Sequence, residues 1–267
     1  MELAGLRLDQ ISDQQAAQYA ARHSQFSPST INCVLRTLRR ALRLAEQWGR
    51  LEHAGKITLA QGEVQRERVL SDQEATRCLA ASPQPWREVA TILLGTGMRP
   101  REIYGLRWEN IVLNGQGGLI HITEGKSKAA RRLLPMVKAV LEIFRSRYEE
   151  QQQPKEGSVF PAPTRSGHVN QGSFRKQHAK ALKNSEVAAF EPYCLRHTAL
   201  TRLAEAGCDA FTLARIAGHS SIAITQRYIH PQTDAIERAF TQLTNGTKLI
   251  TEGAKSEQSG QRVSPTQ

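Results

Sequence analysis

Hydrophobic positions recur at helical spacing along much of this chain. The clearest case follows Ser27-Pro28, where apolar residues at i, i+3, i+4 and i+7 predict a long amphipathic helix that ends near Trp48-Gly49. Its apolar stripe consists of Ile31, Val34, Leu35, Leu38, Ala41, Leu42 and Ala45. A shorter helix is predicted over residues 12–22, because Ser12 is a good N-cap and Asp13 favours a first turn.

The pattern restarts after a polar, charged stretch, residues 61–69, which we interpret as an interdomain linker. Ser71-Asp-Gln-Glu74 is a capping-box signature and predicts that a helix begins there. Further helices are predicted over residues 86–94, 100–106, 137–150, 172–183, 195–206, 210–217 and 221–227. Segments 119–123 and 131–135 read instead as two strands of a hairpin, whose turn holds Gly125-Lys126-Ser127-Lys128.

These elements predict a mainly α protein with one small β-hairpin. We expect an all-α domain over residues 1–62, a linker at 63–69 and an α+β domain over 70–244. The stretch 245–267 is polar and rich in Ser, Thr and Gln, which predicts a disordered tail.

Charge changes the picture of what the chain binds. The 267 residues include 36 Lys and Arg against 25 Asp and Glu, a formal net charge of +11. This charge favours a protein that binds a polyanion over a basic soluble protein that does not. Four arginines, Arg36, Arg39, Arg40 and Arg43, share the polar side of the long helix. They fit a stripe lying along DNA phosphates, although a solvated arginine face has the same pattern.

The sequence gives less support to a disulfide-bonded, metal-binding, membrane or secreted protein. The four cysteines form no CxxC pair and no His/Cys cluster has zinc spacing, so we expect free thiols in a reducing cytoplasm and no metal or other cofactor. No apolar run reaches the roughly 18 residues of a membrane span, and no secretion signal is visible.

Candidate chemistry lies in two segments. The first is Thr96-Gly-Met-Arg99-Pro-Arg-Glu102, and the second runs from Tyr193-Cys-Leu-Arg196-His197 through Gly218-His219 to Tyr228. Attack on a phosphodiester adds negative charge to the phosphoryl oxygens, which arginine forks stabilise, and a tyrosine hydroxyl can be the nucleophile. Each residue alone would read as a surface ion pair, a helix cap or a core aromatic, so the hypothesis rests on their joint occurrence.

This ordered set resembles the tyrosine recombinase (phage integrase) family. The resemblance covers about residues 5–240 and is specific within 96–108 and 195–228. It implies a core-binding domain and a catalytic domain that clamp double-stranded DNA, and a site-specific recombinase or integrase that needs neither metal nor ATP. It also implies a tetramer on two DNA sites, helped by accessory factors, with residues 234–243 docking on a neighbouring protomer or packing on their own domain.

The resemblance also assigns roles. It implies that Arg99, Arg196 and His219 hold the scissile phosphate, that Glu102 orients Arg99, and that Tyr228 forms a 3′-phosphotyrosyl link. A hairpin lysine would protonate the leaving 5′-oxygen; Lys126 follows the glycine as in the family, and Lys128 is the rival.

Two departures leave alternatives open. The family usually has histidine where this chain has Tyr193, and a neutral tyrosine with a pKa near 10 can donate a hydrogen bond but is a poor base at pH 7. His197 we interpret as structural. The N-terminal domain is also short for the family. A truncated gene or a late start codon would explain its length. A catalytically impaired DNA-binding relative and a tyrosine-type topoisomerase therefore remain alternatives.

Overall fold

The computed structural model describes residues 5–63, 68–125, 128–229 and 241. The chain divides into two compact units, residues 1–66 and 67–267, which are taken in turn. Three predictions fall outside the described residues: the side chain of Lys126, the helix at 234–243 and the tail at 245–267.

Two helices form the first unit, α1 (Asp13–Arg22) and α2 (Pro28–Gln47). Ser12 begins α1 with a capping box, and Ser27 and Pro28 begin α2 as the sequence predicts. The core of the unit consists of Ile11, Ala16, Ile31, Leu35, Leu42 and Ile57. The buried stripe of α2 is narrower than predicted, because Val34 and Ala41 are exposed.

The second unit holds eight helices and three strands within its described residues. The helices are α3 (Asp72–Ala81), α4 (Trp86–Thr96), α5 (Pro100–Tyr104), α6 (Lys138–Glu150), α7 (Arg175–Ser185), α8 (Tyr193–Glu205), α9 (Ala210–Ala217) and α10 (Ile222–Thr225). The strands are β1 (Ile111–Leu113), β2 (Gly118–Ile122) and β3 (Arg132–Pro135). The mainly helical fold with a small antiparallel sheet is confirmed.

The sheet has one strand more than the predicted hairpin. Its order is β1-β2-β3, with both pairs antiparallel, and Ile120 of β2 lies opposite Ile111 on one side and Leu134 on the other. Strand β1 has only three residues, too few for period-two alternation to be recognised in the sequence.

Two predicted helices also differ at their ends. The helix predicted at 172–183 begins with a 3-10 turn, Gln171–Phe174, capped by the Asn170 side chain, and continues as α7. The helix predicted at 221–227 divides into α10 and a 3-10 turn, Gln226–Tyr228. A four-residue α10 leaves the chain free to turn Tyr228 towards α8 and α9.

The start of the second unit is held against α8. The Leu70 N–H donates to Thr198 Oγ1 at 2.9 Å, and Cys194 Sγ lies 2.9 Å from the Arg68 carbonyl oxygen. Because Thr198 and Cys194 flank Arg196 on the same helix, the first residues after the linker fix the helix that carries a predicted site residue. Within the described part of the chain, every helix is too short or too polar to cross a membrane.

Candidate active site

Arg196 lies at the centre of the site, in the first turn of α8, with 0% of its surface exposed. Its Nη1 donates to the Gly97 carbonyl at 2.6 Å, and its Nη2 donates to the Ala217 carbonyl at 2.7 Å and to His219 Nε2 at 3.1 Å. Burial lowers the pKa of Arg196, yet a guanidinium stays protonated in proteins. Its Nε is buried and has no hydrogen-bond partner among the described residues.

Arg99 and Glu102 occupy the start of α5. Arg99 is the N-cap residue, Pro100 follows at N1, and the Glu102 carboxylate accepts both the Arg99 backbone N–H at 2.8 Å and Arg99 Nη1 at 3.0 Å. Arg99 Nη2 donates to the Gly218 carbonyl at 2.8 Å. The contact expected for Glu102 is therefore present, and the Arg99 side chain remains 33% exposed at the mouth of the site.

A third arginine, Arg132 of β3, was missed by the sequence analysis. Its side chain is only 1% exposed, and it donates to both oxygens of Glu102, at 3.0 and 2.8 Å. It also donates to the Ile216 and Ala130 carbonyls at 2.6 and 2.8 Å. Burial opposes the charge of Glu102, but the hydrogen bonds and charges of Arg132 and Arg99 prevail and lower the pKa of that carboxyl.

The C-terminus of α9 brings the three arginines together. Consecutive carbonyls accept from different guanidiniums: Ile216 from Arg132, Ala217 from Arg196, and Gly218 from Arg99. Helix C-terminal carbonyls lack partners within the helix and carry partial negative charge, which suits cations. Gly218 has φ +65°, and a Cβ there would lie 2.7 Å from Arg132 Nη1, so glycine is required for both conformation and space.

His219 follows directly and is buried. Since arginine can only donate, the bond from Arg196 makes Nε2 the acceptor, and the proton of a neutral ring then lies on Nδ1, which donates to Thr225 Oγ1 at 2.9 Å. Burial, followed by the charges of Arg196 and Arg99, lowers the pKa of His219 to about 4. The imidazole is therefore neutral at pH 7.

Tyr228 ends the last 3-10 turn and is buried in the same unit as the arginines. Its ring packs with Leu200, Leu213 and Ala217, and stacks with the His219 ring at a centroid distance of 6.1 Å and an interplanar angle of 14°. The next residue, Ile229, is extended. The structure thus places Tyr228 in the site of its own chain.

Tyr193 and His197 lie one helical turn apart on α8. Tyr193 is 41% exposed, with its ring centroid 5.8 Å from Arg196 Cζ and 5.0 Å from the His197 ring. The His197 ring also lies 5.5 Å from the Tyr228 ring. An imidazole that we expected to be merely structural therefore lies between the two tyrosines.

The connection between β2 and β3 is described only at its ends. Gly125 approaches Ala130 so closely that a Cβ on Gly125 would lie 2.2 Å from that of Ala130. Lys126 lies outside the described residues, and the backbone of Lys128 begins a 3-10 turn, Lys128–Ala130. The choice between the two lysines stays a prediction.

The four arginines of α2 divide into two pairs. Arg36 forms an ion pair with Glu63 at 2.5 Å, and Arg39 donates to the Ile57 carbonyl. Arg40 and Arg43 are exposed, and neither forms a hydrogen bond or ion pair with the described residues. The sequence could not show this division, because Glu63 lies far along the chain from Arg36.

The described residues also bear on metal binding. Among residues 5–63, 68–125 and 128–229, no group of three or more His, Cys, Asp or Glu side chains is arranged to hold a metal ion. The charges gathered at the site are those of the arginines and Glu102.

Known proteins share sequence with much of this chain. The model of the phage integrase family matches residues 68–234. The integrase of Salmonella phage P22 is 29% identical over 196 residues, covering 71% of this chain and 50% of the phage protein. Tyrosine recombinase XerC of Pelobacter propionicus is 28% identical over 165 residues, covering 58% of this chain and 50% of its own length. The chain thus spans about half the length of these curated relatives.

Solved structures show the same fold. The Tn1549 transposon integrase in complex with circular intermediate DNA aligns with a TM-score of 0.73 and 22% identity, covering 90% of this chain and 88% of that one. A lambda integrase dimer bound to a COC′ core site aligns with a TM-score of 0.65 and 19% identity, covering 85% of this chain and 67% of that one. With the family model matching more than half of the chain and this fold shared, the protein belongs to the phage integrase family.

Proposed function

We propose that the protein is a site-specific DNA recombinase that cuts and rejoins DNA through a covalent link to Tyr228. One observation carries the proposal: Arg99 and Arg196 donate to the consecutive carbonyls of Gly218 and Ala217, Arg196 also donates to His219, and the Tyr228 ring stacks with the His219 ring at a centroid distance of 6.1 Å.

The charge of the site suits a phosphodiester. Arg99, Arg132 and Arg196 supply three positive charges against the single carboxylate of Glu102, and His219 is neutral at pH 7. A phosphodiester bears one negative charge and gains another as the tyrosine oxygen adds. The surplus cations, fixed beforehand by backbone carbonyls, therefore stabilise the transition state more than the ground state.

The proposed reaction balances without an external cofactor. The Tyr228 oxygen bonds to phosphorus while the bond from phosphorus to the 5′-oxygen breaks, and the leaving oxygen takes a proton from Lys126. The tyrosine proton passes to His197 and not to the exposed Tyr193. The centroid of the His197 ring lies 5.5 Å from the centroid of the Tyr228 ring. Reversal with another 5′-hydroxyl rejoins the strands, so the reaction requires neither ATP nor metal.

Double-stranded DNA is the proposed partner. The Tn1549 and lambda integrase structures are DNA complexes, and the net charge of +11 suits the same ligand. On the first unit we assign the phosphate contacts to Arg40 and Arg43, since Arg36 and Arg39 are engaged within the protein. We further propose a tetramer on two DNA sites, assisted by accessory factors, acting in the cytoplasm.

A covalent selection tests the reaction and finds its DNA at once. The protein is incubated with a pool of duplexes that carry random sequence on both sides of a nick. Cleavage a few nucleotides before the nick releases a short fragment that diffuses away, which traps the adduct. Complexes that survive detergent are captured, and their DNA is sequenced.

Trypsin digestion then locates the link. A nucleotide on Tyr228 appears on the peptide 228–238, whereas one on Tyr193 appears on the peptide 184–196. Tyr228→Phe should bind the selected duplex as tightly as the parent yet form no adduct. Adduct on peptide 184–196, adduct formed by the Phe variant, or no adduct from any duplex would each refute the proposal, the last outcome favouring an impaired DNA-binding relative.

A further inference from the structure

Arg132 lies where three parts of the site meet. Through Glu102 it contacts the start of α5, where Arg99 lies. Through the Ile216 carbonyl it contacts the end of α9, two residues before Gly218 and just ahead of His219. Through the Ala130 carbonyl it contacts the end of the connection on which Lys126 lies.

We propose that Arg132 is a positioning residue that places Arg99 and His219 relative to one another before DNA binds. This inference rests on the proposed function for its consequence in catalysis, but its structural part can be tested without DNA. Each guanidinium nitrogen of Arg132 donates to a protein acceptor, whereas Nε of Arg196 has none among the described residues, so Arg132 acts through these groups and not on the phosphate.

The contacts explain why an arginine is needed. The planar fork makes two parallel bonds to Glu102 while Nε and Nη1 also reach Ile216 and Ala130. Lysine has three donors on a single nitrogen, so it cannot give one carboxylate two parallel bonds and also reach the separate Ile216 and Ala130 carbonyls. With lysine at this position, Glu102 would be held by Arg99 at one side alone, and the end of α9 would lose the contact next to Gly218.

Arg147 provides a matched control in the same unit. It is also largely buried, pairs with Glu88, donates to the Val159 carbonyl at 3.1 Å and lies over the Phe160 ring. Within the described part of the chain, its side-chain partners include none of the residues assigned to the reaction. Arg147→Lys should therefore destabilise the fold as Arg132→Lys does, without altering the chemistry.

The first readout compares two DNA substrates made from the selected duplex. One carries the normal scissile phosphodiester and the other a neutral methylphosphonate, which has the same leaving group but no phosphoryl charge. Misplaced cations should matter far less for the neutral substrate. Single-turnover adduct formation by Arg132→Lys should fall about 100-fold on the phosphodiester and no more than about 10-fold on the methylphosphonate.

The inference would be overturned if Arg132→Lys lost the same factor in rate on both substrates. It would also be overturned if the ratio of the loss on the phosphodiester to the loss on the methylphosphonate were the same for Arg132→Lys and Arg147→Lys. If Arg132→Lys does not fold, the Arg132→Ala variant is used instead, and ethylguanidinium is added to supply the missing guanidinium. Ethylguanidinium should then restore cleavage of the phosphodiester in a concentration-dependent way, and failure to do so counts against Arg132.

The second readout needs no DNA. ¹⁵N NMR of the His219 ring should show the Nδ1–H tautomer in the parent and in Arg147→Lys, and a loss of that preference in Arg132→Lys. An unchanged His219 tautomer in a folded Arg132→Lys variant would refute the positioning role. If the parent forms no adduct with any duplex, the proposed function fails, and this measurement still decides the inference about Arg132.

Discussion

Replacement of Glu102 by glutamine tests how much of the fold depends on the charge at the centre of the site. Glutamine keeps the size of the side chain and can still cap the Arg99 N–H, because capping boxes accept Glu or Gln at this position. What it removes is the negative charge shared by Arg99 and Arg132. Breaking a buried pair by removing one partner costs about 3–5 kcal/mol, whereas a pair as exposed as Arg99–Glu102 adds at most about 1 kcal/mol. We therefore expect a loss of about 3–5 kcal/mol, nearly all of it from Arg132.

Glu74 offers a control with the same local geometry. It caps its own helix at Ser71 N–H, at 3.0 Å, and pairs with a single arginine, Arg68, with 29% and 26% of the two side chains exposed. Glu74→Gln should cost no more than about 1 kcal/mol. Urea unfolding followed by tryptophan fluorescence measures both values in the second unit, because Trp86 and Trp108 are buried there.

The stabilisation by Glu102 should also depend on pH in a defined direction. The folded pKa of Glu102 lies below its ordinary value of 4.5, so the unfolded chain binds the proton more readily. The stabilisation is thus complete above about pH 4.5 and is lost as the pH falls through the depressed folded pKa. The Glu102→Gln deficit should shrink over that range. Equal costs for the Glu102 and Glu74 variants at neutral pH would refute the reasoning.

Three further predictions follow from the site and from α2. Tyr193→His should keep or raise the rate of adduct formation, and His197→Gln should slow it more than Tyr193→Phe does; the reverse order would assign the proton transfer to Tyr193. Because the folded pKa of His219 is about 4 against 6.5 in the unfolded chain, the parent should lose up to about 3 kcal/mol more stability than His219→Gln as the pH falls from 6.5 to 4. Parallel stability curves for the two proteins would show that His219 is not held neutral. Replacement of Arg40 and Arg43 by glutamine should weaken DNA binding. The steepness with which log binding constant falls with log salt concentration should decrease by about two, whereas Arg36→Gln leaves it unchanged.

The sequence predicted the residues whose role depends on order and local context. Arg99 and Glu102 lie one helical turn apart, so their contact follows from the helix that the sequence predicts, whereas the partners of Arg196 lie far from it along the chain. Gly218 marks the end of α9, as its position after an apolar helix indicated. These features require little more than helical periodicity and capping rules.

Arg132 could not be predicted in the same way. It lies beside Arg131 and is followed by Leu133 and Leu134, so the period of two allows either of two faces to be buried. The register with β2 decides the matter by placing Leu134 opposite the buried Ile120, which turns Arg132 inward and Arg131 outward. Its carboxylate partner, Glu102, lies thirty positions earlier in the chain, so the local sequence does not show that this arginine has one.

The acceptors at the end of α9 are backbone atoms, and this has a consequence for sequence divergence. Ile216 can be replaced without removing its carbonyl, whereas a one-residue deletion between Leu213 and Gly218 would rotate the following carbonyls by about 100° around the helix axis. The distance along the chain from α9 to His219 should therefore be far less free to vary than most side chains within it, Gly218 excepted. An alignment that places a gap in this turn would pair chains whose arginines cannot be held in the same way.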